Sequence, residues 1–167
     1  MNTLNPPSHP SLPRIFSLPF SIIPGQLQYR AITRALNTLF AEALTEGELD
    51  FVIDKTINIS IEDAGLHFSV RYRDGALLAG SLADRPDLRI SGDSYAFLLL
   101  GTRKEDADTL FFQQQIKSQG DTELGLFVKN FLDGIDLDTL PAHKVLDTLM
   151  RRALWLAERT AKTPLRS

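Results

Sequence analysis

The sequence predicts an α+β domain: a five-stranded, mostly antiparallel sheet covered by helices. Three observations carry that prediction. Residues 56–82 contain three runs in which apolar and polar residues alternate, divided by turn residues, and a period of two marks half-buried strands. A stripe of apolar residues at helical spacing precedes them. After them the pair Gly-Asp comes twice, in LRISGD (88–93) and IKSQGD (116–121), each time between an extended run and an apolar one. Antiparallel strands in sequence, with helices gathered at the ends, give two layers around one core.

Residues 27–44 place Tyr29, Ile32, Leu36, Leu39, Phe40 and Ala43 on one helical face, and Gly47 is a stop. In TINISIED, Ile57, Ile59 and Ile61 alternate with polar residues. Leu66, Phe68, Val70 and Tyr72 do the same after the Asp63-Ala64-Gly65 turn. Asp74-Gly75 signals a hairpin into a third strand, ALLAGSL. Arg85-Pro86 breaks the pattern, and DLRIS is a fourth strand. SYAFLLLG, apolar nearly all round, is a short buried helix. TLFFQQQIKSQ mixes a helical turn with a fifth strand near 114–119. Beyond it Leu124, Phe127, Val128 and Phe131 share a helical stripe. A last helix is expected from about residue 142 to 161. The chain thus divides into a Pro-rich arm (1–26), a domain (27–140) and a basic amphipathic tail helix (141–167).

Two roles compete for the Gly-Asp turns. A helix N-terminus is an anion site, or the turns are hinges that drop apolar helices onto one sheet face. Asp93 and Asp121 suit the second role, as N-caps that accept first-turn N–H groups. Their own negative charge would repel a phosphate.

Net charge is −3 over 167 residues, which argues against general nucleic-acid binding. Cysteine is absent, excluding thiolate chemistry and suiting a reducing cytosol. Residues 1–41 carry no Asp or Glu, and residues 142–167 are rich in Lys and Arg. No run reaches the ~20 apolar residues of a membrane-spanning helix. The arm SLPRIFSLPFSIIPG is apolar but broken by Pro13, Pro19 and Pro24, so an extended arm is expected rather than a secretory signal. Phe16, Leu18 and Phe20 on it pack on the domain or touch lipid. Arg151, Arg152 and Arg159 on the tail helix are candidates for the same anionic membrane surface.

His9, His67 and His143 stand in unrelated contexts, and no metal-ligand spacing, phosphate loop or nucleophile motif is present. Asp106, Asp108, Asp121 and Glu123 are near in sequence but read as caps and solvated loop. The pattern is that of a binder without a reaction of its own, with no cofactor and no metal. The Phe- and Leu-rich helices read either as an ordinary core or as a wall for an apolar guest, formed by Phe97, Leu100, Phe111, Phe112, Leu124, Phe127 and Phe131, with Gly125 there for close packing or to leave room beside them.

The stretch DADTLFFQQQIKSQGDTELGLFVKNFLDGI, residues 106–135, resembles the UbiT family of bacterial ubiquinone-biosynthesis accessory factors. DLRISGDSYAFLLLG and the helix and meander before it are similar to the wider sterol carrier protein type 2 domain. Gln114-Gln115 stand where that resemblance leads one to expect a basic pair, and Ala107 where it leads one to expect proline. The resemblance implies helices enclosing an apolar cavity over the sheet. It further implies a non-catalytic protein that binds isoprenoid quinone precursors or other lipids and presents them to biosynthetic enzymes. UbiU and UbiV, the hydroxylases of the oxygen-independent route, are the implied partners. The setting would be cytoplasmic, with peripheral contact to the inner membrane. Alternatives are a UbiJ-like factor of the aerobic complex, a general phospholipid or fatty-acyl carrier, a small acyltransferase and a pure scaffold.

Overall fold

A computed structural model describes residues 24–134, apart from residue 102. The expected arm before residue 24 and the expected tail helix lie outside the described residues. The chain begins with α1 (Gly25–Leu39) and α2 (Ala41–Glu46), followed by a 3-10 turn (Asp50–Val52). The strands β1 (Thr56–Ile61), β2 (Leu66–Arg73), β3 (Ala76–Gly80) and β4 (Leu88–Gly92) come next. Then follow α3 (Ser94–Gly101), α4 (Ala107–Phe112), β5 (Ile116–Gly120) and α5 (Thr122–Gly134).

The single helix expected over 27–44 is two helices meeting at Phe40, where φ is −108° and ψ is 23°. The hydrogen bonds run on across the joint, from Phe40 N–H to Leu36 C=O and from Leu44 N–H to Phe40 C=O. Gly47 ends α2 in the left-handed region, with φ of 77°, where only glycine avoids a steric cost. Asp74 and Gly75 are both left-handed, φ 52° and 80°. That is the type I′ geometry which matches the twist of a two-residue hairpin.

The sheet order is β3-β2-β1-β4-β5. Three of its four pairings are antiparallel, and β1–β4 is parallel. The parallel pair requires a crossover. β4 lies on the edge of β1 opposite β2, and the 81–87 segment carries the chain back there to run in the direction of β1. That crossover covers part of the sheet's polar side. Asn58, only 6% exposed, donates to Ala83 C=O (2.9 Å) and accepts from Ala83 N–H (3.1 Å). A buried amide so paired avoids the cost of an unsatisfied polar group.

The other side of the sheet is apolar, as the alternation requires. Register sets Ile57 against Val70 and Leu88, and Ile59 against Phe68 and Ile90. These side chains meet α1, α3 and α5. Leu88, Leu110 and Ile116 are the largest fully buried residues, so the core centres on β4, β5 and α4.

Candidate functional site

The helical layer does not fill the space over the sheet. Between them lies a hollow of 260 Å³ whose lining is wholly apolar. Its floor is the apolar face of β1, β2 and β4, with Ile59, Ile61 and Phe68 in it. Its roof combines Phe97 and Leu100 of α3 with Val128, Phe131 and Leu132 of α5, and Leu36 of α1 and Phe40 at the α1–α2 joint close one side. Aromatic rings set one wall. Phe131 stands edge-on to Phe40 at 5.4 Å and tilted against Phe51 at 5.8 Å, and Phe51 stacks on Phe127 at 5.9 Å. Such offset and edge arrangements are the favoured ones for aromatic pairs.

Of the wall residues expected from sequence, Phe97, Leu100 and Phe131 come together on the hollow. Leu124 is in the core beside them, 3% exposed. Phe127 is 47% exposed, at the outer side of the aromatic wall. Phe111 and Gly125 lie along a separate groove between α5 and β5. A Cβ at Gly125 would stand 3.5 Å from Leu88 Cδ1, an ordinary contact, so this glycine opens toward the groove. Phe112 points into solvent, 90% exposed. Phe16, Leu18, Phe20, Arg151, Arg152 and Arg159 lie outside the described residues.

Sequence reasoning did not assign the floor of the hollow or Phe51. The floor's signal was present, since Ile57, Ile59, Ile61, Phe68 and Val70 alternate in register, but alternation marks a buried face without saying whether that face is filled. Phe51 sits in a 3-10 turn, which has no apolar period to read.

The ionic groups hold the roof in place. Asp121 accepts from Glu123 N–H and Leu124 N–H, both at 3.0 Å, and pairs with Lys55 Nζ at 3.1 Å. The Leu124 N–H, and then Lys55, hold its carboxyl below the usual carboxylate range. The same pair raises the Lys55 ammonium above its ordinary value. Asp106 caps α4 through Thr109 N–H (2.6 Å) and the Thr109 hydroxyl (2.9 Å), and those bonds lower its pKa. Asp108 pairs with Lys129, tying α4 to α5, and Asp133 accepts from Ala107 N–H at 2.8 Å. Among the described residues, no three His, Asp or Glu side chains are placed to hold a metal ion. No helix among them is long and apolar enough to cross a membrane.

A hollow of this kind, its described lining apolar, can accept hydrocarbon. Comparison with known proteins agrees with the architecture. The profile of the SCP-2 sterol transfer family matches residues 34–133. The "Ubiquinone biosynthesis accessory factor UbiT" of Escherichia coli K12 is 36% identical over 129 residues, 77% of this chain and 74% of that protein. Its counterpart in Escherichia coli O157:H7 matches to the same extent. Among solved structures, the "UbiJ-SCP2 Ubiquinone synthesis protein" superposes with a TM-score of 0.55 at 15% identity, covering 66% of this chain and 93% of that one, and so shares the fold. By the extent of these matches, the chain belongs to the SCP-2 sterol transfer family and, within it, to the family of the ubiquinone biosynthesis accessory factor UbiT.

Proposed function

We propose that this protein is a non-catalytic carrier that takes the isoprenoid tail of a ubiquinone precursor into the hollow and leaves the ring outside for a biosynthetic enzyme. The observation that carries this reading is the all-apolar lining beneath α3 and α5. A phenolic or quinone ring carries oxygens, and none of the described side chains that line the hollow can bond them. Burying them there would leave polar atoms unsatisfied. The tail has no such cost.

Volume and energy bound the reading. The hollow has a volume of 260 Å³. If a water-sized group takes ~30 Å³, that is room for about nine carbons, near two isoprene units. At ~0.8 kcal/mol for each buried carbon, the gross gain is about 7 kcal/mol, before the costs of association. Such a grip holds cargo loosely enough to release it. A longer tail extends beyond the hollow, so a short section of it is what the hollow holds.

By family, the receiving enzymes are those of the oxygen-independent route, the UbiU and UbiV hydroxylases. Phe16, Leu18 and Phe20 of the arm, with Arg151, Arg152 and Arg159, would touch the anionic face of the inner membrane while cargo is exchanged. A second reading is favoured by the same lining: apolar walls take an acyl chain as readily, which would make the protein a phospholipid or fatty-acyl carrier.

Native mass spectrometry of the purified full chain, followed by extraction of its lipid, separates the two. Prenylated ring compounds support the first reading, and acyl lipids alone support the second. Phe131→Asp places a charge in the roof and should abolish lipid co-purification. Leu100→Trp, which fills the hollow without charge, should do the same. Phe112→Asp, on an exposed ring, should leave the lipid bound. Folded Phe131→Asp and Leu100→Trp proteins that keep their lipid would sink the assignment of this hollow.

A further inference from the structure

The two edges of the sheet are finished differently. Along β3, α1 occupies the edge with side-chain bonds. Asn37 donates to Leu77 C=O (2.6 Å) and accepts from Leu77 N–H (3.0 Å), and Thr33 Oγ1 accepts from Ala79 N–H (2.9 Å). This is how an edge is guarded against pairing. Along β5, no side chain among the described residues bonds the outer edge, and Lys117, Ser118, Gln119 and Gly120 are exposed. The bond from Asp121 N–H to Asp87 C=O (2.8 Å) sets the alternation of the ladder. Lys117 and Gln119 turn their backbone groups to β4, and Ile116, Ser118 and Gly120 turn theirs to the open side. Beside that edge runs the groove of 370 Å³ lined by Phe111, Gly125 and Leu126, and Leu126 is 53% exposed.

We propose that β5 pairs antiparallel with β5 of a second copy of this chain, about a two-fold axis at Ser118, so that two sheets become one. The open edge is complementary to itself in that register. Ser118 faces Ser118 of the other copy, and Ile116 faces Gly120, so every outward backbone group meets an outward group. Lys117 then stands opposite Gln119. Sliding the register by one residue pair sets either Lys117 against Lys117, which is destabilising, or Gln119 against Gln119 with fewer backbone bonds. A two-fold contact closes on itself and leaves no edge for further growth. Leu126, on the groove beside the axis, gains cover in the same step. The inference stands on the sheet edges alone and is independent of the cargo.

The chain has no cysteine, so one introduced thiol reports cleanly. Directly opposed residues of a bonded antiparallel pair lie ~5.5 Å apart at Cα, within the ~4.4–6.8 Å a disulfide spans. Ser118→Cys in the full chain should therefore oxidise to a covalent dimer. Ser81→Cys, exposed beyond the end of β3, should form no covalent dimer. By analytical ultracentrifugation the parent should sediment as a dimer. Ser118→Pro, which removes the outward N–H from an edge position that tolerates proline, should halve the mass while keeping the circular dichroism spectrum. Leu126→Glu tests the same contact without touching the strand, and should also halve it. A parent that sediments as a monomer overturns the proposal. So do Ser118→Pro and Leu126→Glu proteins that dimerise like the parent, or a Ser81→Cys protein that cross-links as fast as Ser118→Cys.

Discussion

The turns at Gly92-Asp93 and Gly120-Asp121 share a dipeptide and are built by different means. At the second, Asp121 caps its own helix and is pinned by Lys55 across the sheet. At the first, α3 begins with Phe97 N–H bonded to Asp93 C=O, but the Ser94 N–H is taken by Asp63, from the β1–β2 turn, at 2.7 Å. The Ser94 hydroxyl also donates to Asp63. The second turn is thus tied to Lys55 by charge, and the first gains an acceptor, Asp63, from far back in the chain. The glycines differ too. Gly120 has φ of 128°, and a Cβ there would collide with the Asp87 carbonyl oxygen. Gly92 has no left-handed strain, and a Cβ would stand 2.7 Å from the Gln115 carbonyl oxygen. Both glycines exist because β4 and the chain around β5 approach closely, and only Gly120 also needs its backbone freedom. A shared dipeptide thus reports a shared shape, not a shared set of forces.

The largest expected effect tests the glycines. Gly120→Ala suffers both collision and strain and should cost about 3 kcal/mol. Gly92→Ala suffers collision alone and should cost about 2 kcal/mol or less. Urea unfolding midpoints of the two variants measure the gap. Equal losses would mean that the φ at Gly120 carries no penalty, and the distinction between the turns would fall.

A smaller effect tests the distant acceptor. Asp63→Ala removes the acceptor for Ser94 and should cost about 1 kcal/mol, as other N-cap deletions do. Hydrogen exchange localises the loss. Amides of α3 should exchange faster while those of α5 hold their protection. A uniform rise in exchange over both helices would show that Asp63 acts on the whole domain rather than on one roof segment.

These asymmetries also explain what was legible beforehand. The strands were, because each buries one face and the period of two is printed in Ile57-Ile59-Ile61 and Phe68-Val70. The β1–β4 neighbourhood was not written in any one segment, because it joins strands about 30 residues apart through a crossover. The Asp121 cap was readable because donor and acceptor are three residues apart, while the Asp63–Ser94 bond joins positions that only the fold brings together. The pair Phe111-Phe112 held a warning. Neighbours on a helix point ~100° apart, so one ring entering an interior leaves the other outside, and Phe112 is the one outside. Phe97, Leu100 and Phe131 were legible as a wall because their helices are apolar and short. That the space beneath them is hollow depends on side-chain volumes summed over five elements, which no periodicity records.

The smallest expected effect isolates the charge at the second turn. Asn caps a helix nearly as well as Asp, so Asp121→Asn keeps the first-turn bonds and removes the attraction to Lys55. The folded state holds the Asp121 carboxyl below its ordinary value. A depressed carboxylate contributes stability in full above the unfolded value of ~3.9 and loses it as pH falls through the lower folded value. The parent should therefore unfold at a slightly higher temperature than Asp121→Asn at neutral pH, and the gap should close only below about pH 4. Lys55 and Asp121 are each about one-third exposed, at 37% and 35%, so salt should shrink the gap as well. Thermal melts of both proteins across pH and sodium chloride decide it. A gap that survives at the lowest pH would mean that Asp121 acts by hydrogen-bond geometry that Asn cannot copy, and that Lys55 adds nothing to the second turn.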